Sequence, residues 1–341
     1  MFKKLVLVCL LVSVVGFLFA AEAVNVSTWG YNLDLLDKNI AEPFLQQYDI
    51  EVVRELGNNS VRFTKLEAQK GNPVIDVAQF ADYYSALGKA EDLFEPIDVT
   101  KLENYNDVFT FAQDPVGGNY AIGYAVYSLG LVYRADKFEE PITSWKDLFK
   151  DGIVEHVSLP DITITQGPAF MILTNKIFGG DEEDWDLTVG FEKYEEVKDK
   201  IVTFYTRSSE LQNLFEMDEV WAAPVPRFAW GSYLNSDLDF AWVDPLEGVP
   251  GFMSTLSIIK GAKNVDAAYK YVDFLLSQDV QLAEALDLVD SPTNKNVIVP
   301  DDIASKLTYG TSVNSLIFYD LNKIVANRDA WLEEWNERIA Y

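Results

Sequence analysis

Between residues 24 and 80 the hydrophobic period of the chain alternates between strand-like and helix-like, and this constrains the fold more than any other feature of the sequence. Residues 24–29 and 50–56 are short runs rich in β-branched residues, bounded by polar turns, which predicts strands. Between them Leu35, Leu36, Ile40, Phe44 and Leu45 recur at helical spacing and give one apolar face. Residues 60–70 predict a second helix, closed by Gly71-Asn72-Pro73, and residues 74–80 the next strand. Strand–helix–strand–helix–strand implies a parallel sheet with right-handed crossovers. Ligands of such sheets bind beyond the carboxyl ends of the strands. Those ends carry Trp29-Gly30-Tyr31-Asn32, Gly57-Asn58-Asn59 and Asp82-Tyr83-Tyr84. Trp29, Tyr31, Asn58, Asn59, Asp82 and Tyr83 are therefore expected to face one crevice.

A second α/β set follows. Residues 120–133 read as extended chain, and Ser144 caps a helix starting at Trp145. Strands are predicted over 153–159, 201–204, 220–224, 240–243 and 252–259, and a helix over 265–277. Ser209-Glu210-Leu211-Gln212 has the spacing of a capping box and predicts a helix start, and residues 312–340 read as largely helical. No Gly/Ser-rich linker separates the two sets, so their connections are expected to be strands, a geometry that permits hinge closure.

The first residues stand apart from this pattern. Lys3 and Lys4 precede an apolar stretch from Leu5 to Ala20, followed by Ala21-Glu22-Ala23. That is the form of a secretory signal peptide, with cleavage expected after Ala23; a retained anchor is the alternative. The single cysteine, Cys9, lies inside this leader, so the mature chain is expected to have no disulfide or thiolate chemistry. Taking away Lys3, Lys4 and Glu22 leaves 25 basic and 53 acidic residues, a net charge of −28. Such a charge disfavours nucleic acid and anionic lipid as partners and attracts cations. The remaining 318 residues suffice for two domains.

One histidine, His156, is too few for a histidine metal cluster, and its Val-Glu context marks it as structural or at the surface. No metal and no cofactor is expected. Paired carboxylates are so abundant that none stands out.

The stretch "PDITITQGP" (160–168) is the most suggestive local motif. Pro168 suits the first turn of a helix. The preceding Thr-Gln-Gly would then present free N–H groups and the positive end of the helix dipole to the crevice. Thr163, Thr165 and Gln166 add neutral donors and acceptors, either facing a ligand, capping the helix, or both. Arg227, in "APVPRF", and Arg207 either recognise a carboxylate, phosphate or phosphonate bidentately or pair with neighbouring acids at the surface. Trp29, Tyr31, Tyr83 and Tyr127 would supply aromatic walls of the kind that grip flat or cationic ligands. Trp185, Trp331 and Trp335 read as packing residues.

Six stretches carry a resemblance to a known family: "VSTWGYNLDLLDKNIAEPFLQQYDIEVV", "VIDVAQFADYYSALGKAEDLFEPID", "YAIGYAVYSLGLVYRAD", "PITSWKDLF", "WVDPLEGVPGFMSTLSIIKGAKN" and "AAYKYVDFLLSQDVQ". In this order they resemble the periplasmic substrate-binding proteins of ABC importers, specifically the two-lobed spermidine/putrescine class, over nearly all of the mature chain. The resemblance implies an α/β fold of two doubly wound lobes joined by hinge strands, the type II arrangement. Lobe 1 would comprise 24–131 plus 255–300, and lobe 2 would comprise 132–254 plus 301–341, with the crevice between them. It implies a non-enzymatic, periplasmic or extracytoplasmic monomer that closes on a small molecule and delivers it to a membrane permease.

For the ligand, the resemblance points to a polyamine held by carboxylates. Two of the family's acidic positions correspond to Ile162 and Thr165 here, and its aromatic–acidic pair in the hinge strand corresponds to Phe252 and Ser254. Asp161, Asp82 and Glu247 remain as anionic partners. Two ligand classes therefore stay open: an organic cation, or an anionic or zwitterionic solute such as a phosphonate, carboxylate or phosphorylated vitamin. Thiamine and ferric iron are further candidates, iron through Tyr83, Tyr84 and Tyr205. A secreted hydrolase using paired carboxylates is the rival from another class, and it predicts turnover.

Overall fold

The computed structural model describes residues 22–181 and 185–340, so nearly all of the leader expected over 1–23 lies outside the described residues. The parallel unit expected at the start of the chain is present. β1 (Glu22–Thr28) pairs in parallel with β2 (Ile50–Leu56) along its whole length and with β3 (Val77–Ala81). β1 begins two residues before the expected Val24, because Glu22 and Ala23 already pair with Ile50 and Glu51. The helical crossover over 33–48 loosens into a π turn at Asp37–Ala41, and the second crossover is the helix Asn59–Ala68.

β3 starts three residues later than predicted, for a specific reason. Asp76 is fully buried and accepts from the amides of Asn25, Lys263 and Asn264 and from both asparagine side chains at 2.8–3.1 Å. Residues 74–76 therefore anchor neighbouring segments instead of entering the ladder.

Beyond the two-residue β4 (Phe94–Glu95) runs β5 (Ile122–Arg134), every residue of which is buried. The second half supplies β6 (Ser158–Pro160), β7 (Thr203–Tyr205), β8 (Ala222–Pro226), β9 (Phe240–Val243), β10 (Val249–Ile259) and β11 (Leu316–Ile317). β10 lies antiparallel between β3 and β5, giving the mixed order β2-β1-β3-β10-β5-β8. β5 changes partner part-way: Ser128 still pairs with Gly251 of β10, whereas Leu129 pairs with Pro226 of β8.

The buried apolar residues divide near the same point. One set joins Val24, Phe44, Val77 and Ile122 to Leu256 and Tyr271. The other joins Leu129, Trp145, Phe170 and Phe191 to Trp331 and Trp335 of the helix Leu321–Arg338. The fold is thus two α/β lobes sharing long strands, as expected.

Some predicted elements are corrected. Residues 153–157 do not form a strand: the Lys150 carbonyl accepts from both Ile153 and Val154, closing a turn that leaves only β6 extended. The strand placed at 220–224 is shifted to β8, two residues on. The helix expected from Ser209 begins at Ser208, and no capping box forms; instead the Glu210 carboxylate accepts from the Thr206 amide and hydroxyl at 3.1 and 3.2 Å. Of the tail 312–340, only Leu321–Arg338 is a long helix. The Ser144 cap is present as predicted, with Asp147 completing the box, but the element it starts is a 3-10 turn.

Candidate functional site

At the carboxyl ends of β1, β2 and β3 the organising residue is one the sequence reading passed over. Arg62 is fully buried without an ion pair among the described residues. Its guanidinium donates to the carbonyls of Ser27, Gly57 and Gln79 at 2.7–3.0 Å and to the Asn59 side chain at 3.0 Å. It also lies against the rings of Trp29 (4.9 Å) and Phe80 (4.6 Å). Carbonyl dipoles and π faces replace a counter-ion, and burial lowers its pKa to about 10.

Trp29 is thereby fixed from below and meets Tyr31 at 6.2 Å. Tyr31 keeps 43% of its surface accessible, and desolvation together with the nearby Asp290 and Glu284 charges raises its phenol pKa. Asn58 and Asn59 are engaged structurally: Asn58 caps the helix Asn59–Ala68 by accepting from the Val61 amide at 2.9 Å, and Asn59 holds Arg62.

Asp82 and Tyr83 open the helix Asp82–Ala90 where β3 ends. The Asp82 carboxylate is buried, accepting from the amides of Tyr83 (2.9 Å) and Met253 (3.0 Å), and no cation pairs with it among the described residues. Burial pushes its pKa up to about 7 against the pull of those amides. Tyr83, although it belongs to the first lobe by sequence, packs into the core of the second. There Tyr127 stacks on Phe252 (5.4 Å, 14°), takes the edge of Phe228 (5.1 Å), and pairs its hydroxyl with Gln166.

Asp82, Tyr83, Thr165 and Phe252 line one cavity of about 310 Å3 together with Asp114 and Phe111. A second, of about 260 Å3, shares Tyr83 and Pro168 and is lined by Thr163, Glu67, Glu91 and Arg328. Both lie between the lobes. The first holds two carboxylates and no basic side chain.

In "PDITITQGP" Pro168 does occupy the first turn of the helix Gly167–Ile177. Gly167 is required there, since a Cβ would lie 2.1 Å from the Asp161 carbonyl oxygen. The Gly167 amide is not free as expected; it donates to the Ile164 carbonyl at 3.0 Å. Asp161 accepts from the Thr163 amide and hydroxyl at 2.8 and 2.6 Å, and Glu247 accepts from Ser144 and Trp145, so both acids serve local turns.

Arg227 lies over Trp242 (4.4 Å) and donates to the carbonyls of Ser305 and of Lys306 (3.2 Å), which occupies much of its fork. Ser254 is buried within β10 beside Ala81 and Ala125. Trp331 and Trp335 are core residues, and the Trp331 ring stacks on Trp185. His156 stacks on Trp221 at 3.4 Å. Among the described residues no group of three or more His, Cys, Asp or Glu is arranged to hold a metal ion.

Asp114 and Phe111 carry no sequence signal that marks them as site residues. Asp114, in "AQDPVGG", reads in sequence as a turn aspartate, and it does accept from the Asn119 amide at 2.9 Å. Its place on the cavity wall depends on contacts remote in sequence.

Comparison with known proteins agrees with this architecture. Residues 39–310 match the family model described as bacterial extracellular solute-binding protein. The crystal structure of an ABC transporter from Clostridium perfringens superposes with a TM-score of 0.82 at 32% identity, covering 93% of this chain and 99% of that one. A spermidine/putrescine ABC transporter substrate-binding protein from Streptococcus pneumoniae superposes with a TM-score of 0.74 at 21% identity, covering 93% and 100%. A putrescine-binding periplasmic protein of Pseudomonas aeruginosa is 23% identical over 320 residues, 87% of this chain and 86% of its own length.

Proposed function

The chain belongs to the bacterial extracellular solute-binding protein family, and we propose that it captures a small cationic solute outside the cytoplasm and presents it to the permease of an ABC importer. The observation that carries the charge of the solute is the cavity beneath Phe252. Asp82 and Asp114 line it, aromatic rings form its walls, and no basic side chain reaches it. An amine bound there gains cation–π contact and a carboxylate that lacks a cationic partner. The names of relatives that bind putrescine or spermidine point the same way. The family's carboxylates at the positions of Ile162, Thr165 and Ser254 are absent, so Asp82 and Asp114 would take over their work. The protein acts as a monomer in this reading, and closure of the lobes on the strands β5 and β10 completes the site.

A thermal-shift screen of residues 24–341 tests this. Diamines at about 100 times their dissociation constant should stabilise the protein by about 2.7 kcal/mol, and Asp82→Asn should weaken their binding at least tenfold. A shift with phosphonates or dicarboxylates alone would sink the cationic reading.

A second reading has one observation in its favour. Arg328 lines the adjoining cavity near Tyr83, so a zwitterion could place its ammonium group by Asp82 and its carboxylate by Arg328. Stabilisation by ω-amino acids but not by diamines, lost in Arg328→Ala, would select it.

A further inference from the structure

Away from both large cavities, the buried Glu284 and the half-buried Asp290 line a common hollow. Glu284, on the helix Gln278–Leu286, is 4% exposed, and neither of its carboxylate oxygens has a protein partner. The cations whose charge it feels are held elsewhere: Arg54 pairs with Asp37, and Lys38 with Asp287. Asn39, which gives its amide to Asp287 at 2.9 Å, also lies near enough to Glu284 to lower its proton affinity. Gln281, on the same wall, directs its amide to Leu275 and Thr293. Glu284 and Asp290 line one small hollow of about 10 Å3 with Tyr124, and the Glu284 charge adds to the burial that raises the proton affinity of Asp290. Asp290 also lines the hollow formed by Tyr127, Arg227 and Phe228, and no ion pair joins it to Arg227 among the described residues. The accessible Tyr31 feels both carboxylates. Asp290 thus lines both hollows.

A buried carboxylate without a cation, such as Glu284, is costly, and a cation held between it and Asp290 removes that cost. The cavity has the volume of a single water-sized group. Two carboxylates and one phenol hydroxyl fall short of the six to eight oxygens that calcium takes. We infer that Glu284 and Asp290 form a subsite for one water-sized monovalent cation, and that it receives a primary ammonium end of the transported solute past Asp290, which also lines the hollow beside Tyr127. The second clause rests on the cationic reading of the solute; the subsite itself does not.

Two arms separate these. In the first, wild type, Glu284→Gln and Asp290→Asn are melted at pH 8 in ammonium chloride and in tetramethylammonium chloride of equal ionic strength, the latter ion being too large for the cavity. Ammonium should raise the Tm of the wild type above that in tetramethylammonium, and neither variant should respond. Without ammonium, Glu284→Gln should melt no lower than wild type, since the amide removes an unpaired buried charge. Identical melting of the wild type in the two salts overturns the subsite. In the second arm, 1,4-diaminobutane is titrated calorimetrically, with at least a tenfold loss of affinity expected in each variant. Unchanged affinity, with the ammonium response intact, overturns the claim that the solute occupies the subsite. If wild type binds no diamine at all, the cationic solute reading fails while the salt arm still decides the subsite. Should Glu284→Gln not fold, Asp290→Asn decides both arms alone.

Discussion

At the scale of single residues, Asp82 shows how burial turns a carboxylate into a pH-sensitive group. Its folded pKa of about 7 lies above the ordinary carboxylate value because desolvation outweighs the two amides it accepts from. The folded protein therefore holds a proton that the unfolded chain has released. The stabilisation of the protonated form is present at low pH and is lost as pH rises towards 7. Wild type should lose stability to urea between pH 5 and pH 8, by on the order of 2–3 kcal/mol from this group, and Asp82→Asn should flatten that slope. A cation needs the ionised carboxylate, so diamine affinity should fall about tenfold for each pH unit below 7, measured by calorimetry. A pH-independent affinity would remove Asp82 from the site. Asp82 was legible because it directly follows a strand of a predicted parallel sheet. Arg62 was not: on its helix it reads as one more polar residue, and only the assembled sheet brings the carbonyls of Ser27, Gly57 and Gln79 to it. Replacing it by Met strands those buried carbonyls and should cost about 3 kcal/mol or more in urea unfolding, with Trp29 losing its support and solute affinity falling with it. A loss below 1 kcal/mol would mean that water or Asn59 satisfies the strand ends.

Among the elements, the helix Gly167–Ile177 was foreseen from Pro168 and the apolar run behind it, while the turn before it was foreseen only in composition. Neutral donors were expected to face the crevice. Thr165 does so, but the Gly167 amide and the Thr163 hydroxyl close the turn itself. Sequence periodicity identifies faces and cannot decide whether a local donor meets a ligand or its own backbone, because Ser, Thr, Asn and Asp make both kinds of bond at similar cost. The same competition took Asn58 for a helix cap and Glu247 for the Ser144–Trp145 turn. Boundaries failed where a buried polar group fixed a loop, as Asp76 does ahead of β3. The turn at Gly167 carries its own prediction. Its Cβ position falls 2.1 Å from the Asp161 carbonyl oxygen and 2.6 Å from the Ile162 Cα, both backbone atoms that cannot swing aside. Gly167→Ala should therefore move the turn, lower stability by about 1–3 kcal/mol, and weaken solute binding through the displaced Thr165. Unaltered melting and affinity would show that the turn relaxes freely.

For the whole molecule, the two lobes and the strands between them followed from alternation of elements without a flexible linker, whereas the packing across the crevice did not, since it depends on which side chains cross it. Tyr83 leaves a helix of the first lobe and is buried in the core of the second, and the helix Leu321–Arg338 reaches back, with Asn322 accepting from Lys89 at 3.3 Å. β5 and β10 continue unbroken between the lobes, so the lobes can turn on them without losing either core. In such a molecule a side chain buried across the crevice contributes to closure, and its removal shifts the population towards the open form by its burial energy, about 2–3 kcal/mol for a tyrosine. Tyr83→Ala should leave each lobe folded, enlarge the radius of gyration of the unliganded protein in small-angle scattering, and weaken solute binding by tenfold or more. Binding must then pay for closure that Tyr83 otherwise supplies, so added solute should contract the variant further than it contracts wild type. Equal scattering curves for variant and wild type, with and without solute, would mean that the lobes are held by the Leu321–Arg338 helix and that Tyr83 only fills space.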